Sequence, residues 1–452
     1  VKQTHSFPLL KSKWLLCVSS LIISSLTYAD NLNNSLPLLP EPLIQHALQV
    51  HPAIFASEHE LEAARLEKKA TQHQVYPSLS AQAQFTREGQ TSKIVLEQPL
   101  WTGGRLTALQ QKSFFNHRIA FDNLQAQRYE LTSRVLETWG LLLDAYERSR
   151  VAQQTLSELE GFATMMRRRV DSGISARFEL DLVESRILQS RVTRDSSDKL
   201  LELGLNRLAQ LLAKPSLAKT QVQWPDVVAL STQVSQDYQT QTTTPSREWG
   251  QSHPLVKQTR DLAAAMTEEA NIARASRYPQ ISVGYEYDYQ HFLHQDSLNQ
   301  QEGQLRLSVQ YTMGAGRSTV LTERSLRAKA LSLEQKTMAT HQQIVDQIDQ
   351  QLYNFLSAQA RVETLKAAMQ SARLVQESYQ RQFLVGRRSW LELMNATREI
   401  EQNAYDLVAT RTALILNYYQ LQLLTGQLEP LLNSDLGRVN EDSVITPTSL
   451  SR

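Results

Sequence analysis

The sequence predicts a mainly helical chain with a small β part, built as two copies of one helix–β-hairpin–helix plan. Three observations carry that expectation. First, His51-Pro52-Ala53-Ile54 and Tyr76-Pro77-Ser78-Leu79 return as His253-Pro254-Leu255-Val256 and Tyr278-Pro279-Gln280-Ile281, both displaced by 202 positions. Second, apolar residues keep a 4-3-4-3 spacing through long proline-free stretches, the pattern of paired long helices. Third, each copy holds two runs in which apolar and polar residues alternate, the period of a strand. A matched half-chain of this length is a structural duplication.

Residues 1–29 read as a secretory signal. Lys11 and Lys13 precede an apolar run, Trp14 to Leu26, and Thr27-Tyr28-Ala29 offers a small residue for cleavage. Leu16 before Cys17 is not small, so lipid anchoring is not expected. Beyond residue 30 no run reaches the roughly 18 apolar residues of a spanning helix. The exported chain is then either soluble or crosses a membrane as strands.

Residues 30–213 form the first repeat. An extended lead-in gives way to helix near Pro42, which breaks at Pro52 and runs to Val75, because the residue before Pro77 is pushed out of the helical region. The strands fall within about 78–100: Leu79, Ala81, Ala83 and Phe85 share one face, and Ile94 and Leu96 resume it after a turn at Glu88-Gly89-Gln90. Gly103-Gly104-Arg105 closes the hairpin. A long helix is expected over about 106–170, with Leu131, Val135, Thr138, Leu142, Ala145 and onward to Met166 and Val170 in the seam. About 65 helical residues make a rod of about 100 Å. Gly173 turns the chain into a second helix over 174–213.

Lys214-Pro215 stops that helix, and 214–250 reads as a connection between halves, irregular with a short helix. Residues 251–426 repeat the plan. Strands lie within about 280–312, with Ile281, Val283, Tyr285, Tyr287 and Tyr289 on one face, and the hairpin closes at Gly314-Ala315-Gly316-Arg317. Long helices are expected over 318–384 and 387–425, around a turn at Gly386. Residues 427–452 read as a flexible tail.

Composition narrows the function. A net charge of +1 leaves no basic footprint for nucleic acid. The single cysteine, Cys17, excludes an internal disulfide and a Cys-built metal site, and the histidines show no metal-ligand spacing. No nucleophile, base and orienting acid come together in the sequence, and no cofactor motif is present, so no enzymatic activity is expected. The Gly-Arg turns lack the lysine and hydroxyl of a phosphate loop.

The strand segments have the length that crosses a bilayer when tilted. Their apolar, tyrosine-bearing face suits lipid and their polar face suits a water-filled lumen. Four strands cannot close, and an open edge does not survive in hydrocarbon. The barrel is therefore shared between chains. Two copies give eight strands and a filled interior; three give twelve and a pore.

These features together resemble the TolC family of outer-membrane channel proteins. The duplicated plan, the Tyr-Pro strand openings, the Gly-Arg closures and the Gly-centred helix turns match it over about residues 40–426. The resemblance implies a homotrimer in the bacterial outer membrane. It has a 12-stranded transmembrane β-barrel in lipid and an α-helical barrel in the periplasm, with an equatorial region near 214–250. It implies a periplasmic adaptor and an inner-membrane ABC transporter or proton-driven pump as partners, for type I protein secretion, as of an adhesin or toxin, or for drug efflux. It also implies a periplasmic gate: Glu392 on a first acidic position, Asn395 where a second acid would stand, Arg388 on a gating arginine, and Glu179 as its first-half partner. Phe383 and Phe178 stand where the best-known member has a tyrosine and a threonine, which leaves a plain Arg388–Glu179 contact. Gly173 and Gly386 are the helix-turn tips. A ring of three Glu392 carboxylates would concentrate cations and raise one another's pKa. The competing reading is an exported coiled-coil scaffold or adhesion protein without a pore.

Overall fold

The computed structural model describes residues 36–85, 89–240, 249–292, 300–311 and 317–428. The expected signal segment with Cys17, the Glu88 end of the first hairpin turn, Pro245 of the connection, the Gly314–Gly316 turn and the tail from 429 lie outside them.

The chain begins with a two-residue strand β1 (Leu36–Pro37) and helices α1 (Pro40–Val50) and α2 (Pro52–His73). Strands β2 (Ser78–Phe85) and β3 (Gly89–Trp101) follow, then helices α3 (Arg105–Asp171) and α4 (Arg177–Leu211). A connection carries β4 (Val222–Gln223) and α5 (Val227–Thr240). The second half is α6 (Trp249–Ser252), α7 (Pro254–Ala275), β5 (Gln280–Phe292), β6 (Gln300–Gln310), α8 (Ser318–Leu384) and α9 (Trp390–Leu424).

The duplication extends to element length. α2 and α7 have 22 residues each, α3 and α8 have 67, and α4 and α9 have 35. The His-Pro pairs explain where the first of these helices begin. The Nδ1 atoms of His51 and His253 accept from the amides of Ala53 and Leu255 at 3.2 and 3.3 Å. The following proline supplies the helical φ at a position that needs no amide donor. The halves differ in the hairpin, where β5 has 13 residues and β2 has 8, and in the helix before the His-Pro pair, where α1 has 11 residues and α6 has 4.

The expected seams are the buried ones. Leu131, Val135, Leu142, Ala152, Leu156 and Met166 are buried along α3, and Phe355, Ala358 and Val362 along α8. α3 packs against α4, and α8 against α9, as antiparallel pairs. Toward the sheet α2 and α7 flank α3, and α7 also packs on α8. The connection does not hang free. β4 pairs in parallel with β1, α5 packs on α9, and Trp139 Nε1 donates to the Leu38 carbonyl at 2.9 Å inside the main core.

The sheet is antiparallel throughout, in the order β2-β3-β5-β6. Its register aligns Leu79, Leu96, Tyr285 and Leu305 in one row and Ala81, Ile94 and Tyr287 in the next. That face is bare: Leu79 is 72% exposed and Leu305 78%. Among the described residues no helix packs across it. An ordinary sheet packed on its own core is thereby excluded.

Candidate functional site

Both long helix pairs end in the same backbone turn. Gly173 and Gly386 adopt φ of +69° and +73°. The amides of Ile174 and Arg387 reach back to the Arg169 and Gln382 carbonyls at 2.9 Å each, while those of Gly173 and Gly386 bond Val170 and Phe383. This is the glycine-centred helix stop, in which a left-handed residue lets two orphan carbonyls find donors. Nothing lies within 4 Å of where a Cβ would sit on either glycine. The glycines are needed for their φ, and the tips face open space.

Above the turns the helices share a core of their own. Phe162, Met166, Leu180, Val183, Phe383, Trp390 and Leu393 close together and join all four long helices. Trp390 is 1% exposed and meets Phe162 edge-on at 5.9 Å and Phe383 at 5.1 Å. The Arg169 guanidinium lies 4.9 Å from the Phe383 ring centre, and its Nε donates to Ser175 Oγ at 3.1 Å. One arginine thus ties the α3–α4 turn to the end of α8. Neither this link nor the Trp390 core was expected from the sequence, because both depend on how two helix pairs meet. Phe383, expected as a lost hydroxyl link, is a buried core residue, while Phe178 is 68% exposed on the first turn of α4.

Arg388 and Glu392 do come together, though not as expected. Arg388 Nη1 pairs with Glu392 Oε1, Arg388 Nε donates to Gln382 Oε1 at 3.3 Å, and the guanidinium lies 4.6 Å from the Tyr379 ring centre. Within one chain the Arg388 guanidinium is occupied by this pairing along one helix start and makes no contact to Glu179. Among the described residues the Glu179 side chain makes no hydrogen bond or ion pair, and it is half-buried.

Glu392 has a second commitment. Ser389 Oγ accepts from the Glu392 amide at 3.3 Å, while Glu392 Oε2 accepts from the Ser389 amide at 3.0 Å and from its hydroxyl at 2.9 Å. This is a capping box, two orphan amides satisfied reciprocally at the start of α9. The Ser389 amide first, then its hydroxyl and Arg388, hold the Glu392 carboxyl below the usual carboxylate range. The expected mutual raising of three Glu392 groups therefore starts from carboxylates already held by their own chains. The pattern Ser389-x-x-Glu392 stood in the sequence and could have revealed this. Asn395 is exposed on α9.

At the other end, the polar face of the sheet gathers charges. Glu286 is buried between Lys93 on β3, with which it pairs, and Arg306 on β6, whose Nη2 lies 2.7 Å from Glu286 Oε2. Ser282 Oγ donates to Glu97 at 2.6 Å. Among the described residues no cluster of acidic, histidine or cysteine side chains is arranged to hold a metal, and no helix is long and apolar enough to cross a membrane.

A sheet segment with a bare apolar face and a polar face, carried on a rod of paired helices, defines one sector of a membrane-anchored helical conduit. The family described as outer membrane efflux protein matches residues 43–214 and 247–427, one segment for each half. The chain belongs to that family, and so to the outer membrane. The same fold appears in a membrane protein from Pseudomonas aeruginosa, at 16% identity over 86% of this chain and 93% of that one, with a TM-score of 0.75. It appears in the outer membrane protein VceC from Vibrio cholerae, at 16% identity over 85% and 96% of the two chains, TM-score 0.72. The Campylobacter jejuni CmeC outer membrane channel aligns at 11% identity over 86% and 85%, TM-score 0.72. No curated protein sequence matches the chain.

Proposed function

We propose that three copies of the chain close into a passive outer-membrane channel, the outer part of a tripartite export system. The observation that carries this reading is that both layers are open on the same two sides. The sheet ends at β2 and β6, each with one unpaired edge. The helical layer ends at α2 and α4 on one side and at α8 on the other. These outer helices carry exposed apolar residues: Leu188, Val192 and Leu203 on α4, and Leu331, Met338, Leu356 and Leu374 on α8. Placing β6 of one chain against β2 of the next keeps the sheet antiparallel and brings α8 toward α2 and α4 of that neighbour. Edges left open in hydrocarbon would cost several kcal/mol for each unpaired group, so closure is obligatory. Three chains give twelve strands; two would give eight, whose interior side chains fill.

The channel needs no chemistry of its own. Its cargo, a small molecule or an unfolded protein, is handed over by a periplasmic adaptor and an inner-membrane ABC transporter or proton-driven pump that supplies the energy. The helix turns form the periplasmic entrance, with the Arg388–Glu392–Ser389 cluster keeping each α8–α9 turn compact. A scaffold without a pore would have no use for the bare apolar face. The test is mass measurement in detergent with planar-bilayer recording. A mass of three chains with discrete ion steps is expected; a water-soluble monomer without steps overturns the reading. Arg388→Ser should raise the conductance by loosening the turn, and an unchanged conductance removes the entrance role. Co-purification with an ABC transporter supports protein secretion, and with a proton-driven pump, efflux.

A further inference from the structure

Where α3 of the first half lies against α7 of the second, two acids are buried in the contact. Three pairs set its register: Lys112 with Glu269, Arg118 with Asp261, and the Tyr129 ring edge-on to His253 at 5.3 Å. The α3 numbers rise as the α7 numbers fall, so the two helices run antiparallel. Asp122 stands one turn beyond Arg118, at the level between Asp261 and Lys257 of α7. Asp122 is 7% exposed and Asp261 3%.

Only one of the two acids has a partner. Arg118 Nε lies 2.9 Å from Asp261 Oδ2. Among the described residues Asp122 accepts no hydrogen bond and makes no ion pair. The cations that act on it are Lys257 and Arg118, and neither pairs with it. On its other side α3 meets α2, whose acids at this level are occupied. Glu60 accepts from Asn123 at 3.3 Å and Glu58 from Arg128 at 3.2 Å, while Glu62 holds Arg65 of its own helix. Burying a charge without a partner is costly, and a second carboxylate beside it adds repulsion. One proton relieves both. Burial first, then Asp261, pushes the Asp122 carboxyl up from 3.8 to about 6. Burial also pushes Asp261 up, against the pull of Arg118 and Arg260. The duplication does not require this pair. Displaced by 213 and 202 positions, Asp122 answers to Gln335 and Asp261 to His59.

We infer that Asp122 and Asp261 form a proton-operated clasp between the two halves, which tightens the α3–α7 contact in mild acid and slackens it toward neutral pH. A carboxyl whose folded pKa lies above its open-state value weakens the fold as pH rises from the open-state value to the folded one, and adds no further change above that. The clasp belongs to one chain and does not depend on the pore.

The experiment is hydrogen exchange of the α3 and α7 amides around these residues, on the full-length protein purified in detergent, corrected for intrinsic rates. In the wild type the local opening equilibrium should be level above about pH 7 and fall about tenfold by about pH 5, as a carboxyl at 3.8 when open and about 6 when closed requires. Asp122→Asn carries the neutral form permanently. It should hold the contact at its acid strength throughout and lose the response; Asp122→Ser, also neutral, gives the same reading by a second route. Glu60→Gln, at an exposed acid of α2 on the same level, should keep the wild-type response. A wild-type profile that is level across this range, or that loosens in acid, overturns the inference without any variant. So does a neutral Asp122 variant that keeps the response, or a Glu60→Gln protein that loses it, since the titrating acid would then be another.

Discussion

The two helix turns are copies in backbone and strangers in side chain. Helix lengths, the glycine φ and the carbonyls that are capped agree between the α3–α4 and α8–α9 turns. Displacing the first turn by 213 positions sets Ala176 on Ser389, Arg177 on Trp390 and Glu179 on Glu392. So Glu179 occupies the place of Glu392, but the residue that begins its helix is alanine. α4 starts with no side-chain cap, while α9 starts with a full capping box. Arg177 points to solvent with Asp181 beside it at 3.6 Å, while Trp390 fills the shared core. Duplication preserved what the chain path requires and left free what the path does not. The second turn gained an anchored, rigid start, and the first kept an open one.

The largest test of that difference is the pair of first helical residues. Trp390→Ala should cost about 3–5 kcal/mol, because it empties the centre of a core joining four helices. Its counterpart Arg177→Ala, at an exposed pair, should stay within about 0.5 kcal/mol. Denaturant unfolding of the purified protein, followed by circular dichroism, reads both. Similar losses in the two variants would mean that the tips are equally anchored and the comparison is wrong.

A middle-sized effect is expected where the sequences differ by one cap. Ser389→Ala should cost about 1 kcal/mol at the start of α9, and Ala176→Ser should add a similar amount to α4 by completing a box with Glu179. Thermal unfolding of the two single variants should shift in opposite directions. If Ala176→Ser shifts nothing, Glu179 is not placed to close a box, and the two turns differ in backbone after all. The same logic applies at the far ends of these helices. α9 stops on Gly426 with φ +74°, but its counterpart in α4 is Ala213, a non-glycine residue at φ +51°. Removing that Cβ with Ala213→Gly should relieve about 1 kcal/mol of left-handed strain.

These contrasts mark what could be read in advance. The path was legible because it is written in local, periodic signals. Prolines at 52 and 254 start helices, Tyr76-Pro77 and Tyr278-Pro279 end them, glycines 173 and 386 turn the chain, and a period of two gives way to heptads. Alternation showed which residues share the apolar side of the sheet, the export signal and the lack of other apolar elements to cover that side pointed it at lipid, and the register keeps Leu79, Leu96, Tyr285 and Leu305 in one row. The site was half legible. Arg388 and Glu392 were placed at the same turn, but their pairing within the chain, one turn along the helix start, was not foreseen. Pairs four apart need no tertiary knowledge, and the capping box needed only Ser389. Phe383 was judged by the hydroxyl it lacks rather than by the ring it offers. Arg169 was beyond reach, since its contact with Phe383 exists only after two helix pairs pack.

The smallest effect separates the turns by acid. Glu392 is held below its ordinary value of 4.5 by the Ser389 amide, the Ser389 hydroxyl and Arg388. A carboxyl whose folded pKa is depressed stabilises the fold above its unfolded pKa, and that stabilisation is lost as pH falls through the folded value. Protonated Glu392 can no longer accept from Ser389 or pair with Arg388. The first turn of α9 should therefore fray as pH falls through that lowered value, seen as falling hydrogen-exchange protection of its amides after correction for intrinsic rates. Ser389→Ala removes the hydroxyl's share of the depression while the backbone amide keeps donating, and should weaken the response. Ala176→Ser should bring an acid-sensitive start to α4, where the wild type has no box to lose. Protection of α9 that is level across the acid range would show that the cap contributes nothing to this turn. The Trp390 core would then account alone for the rigidity of the second tip.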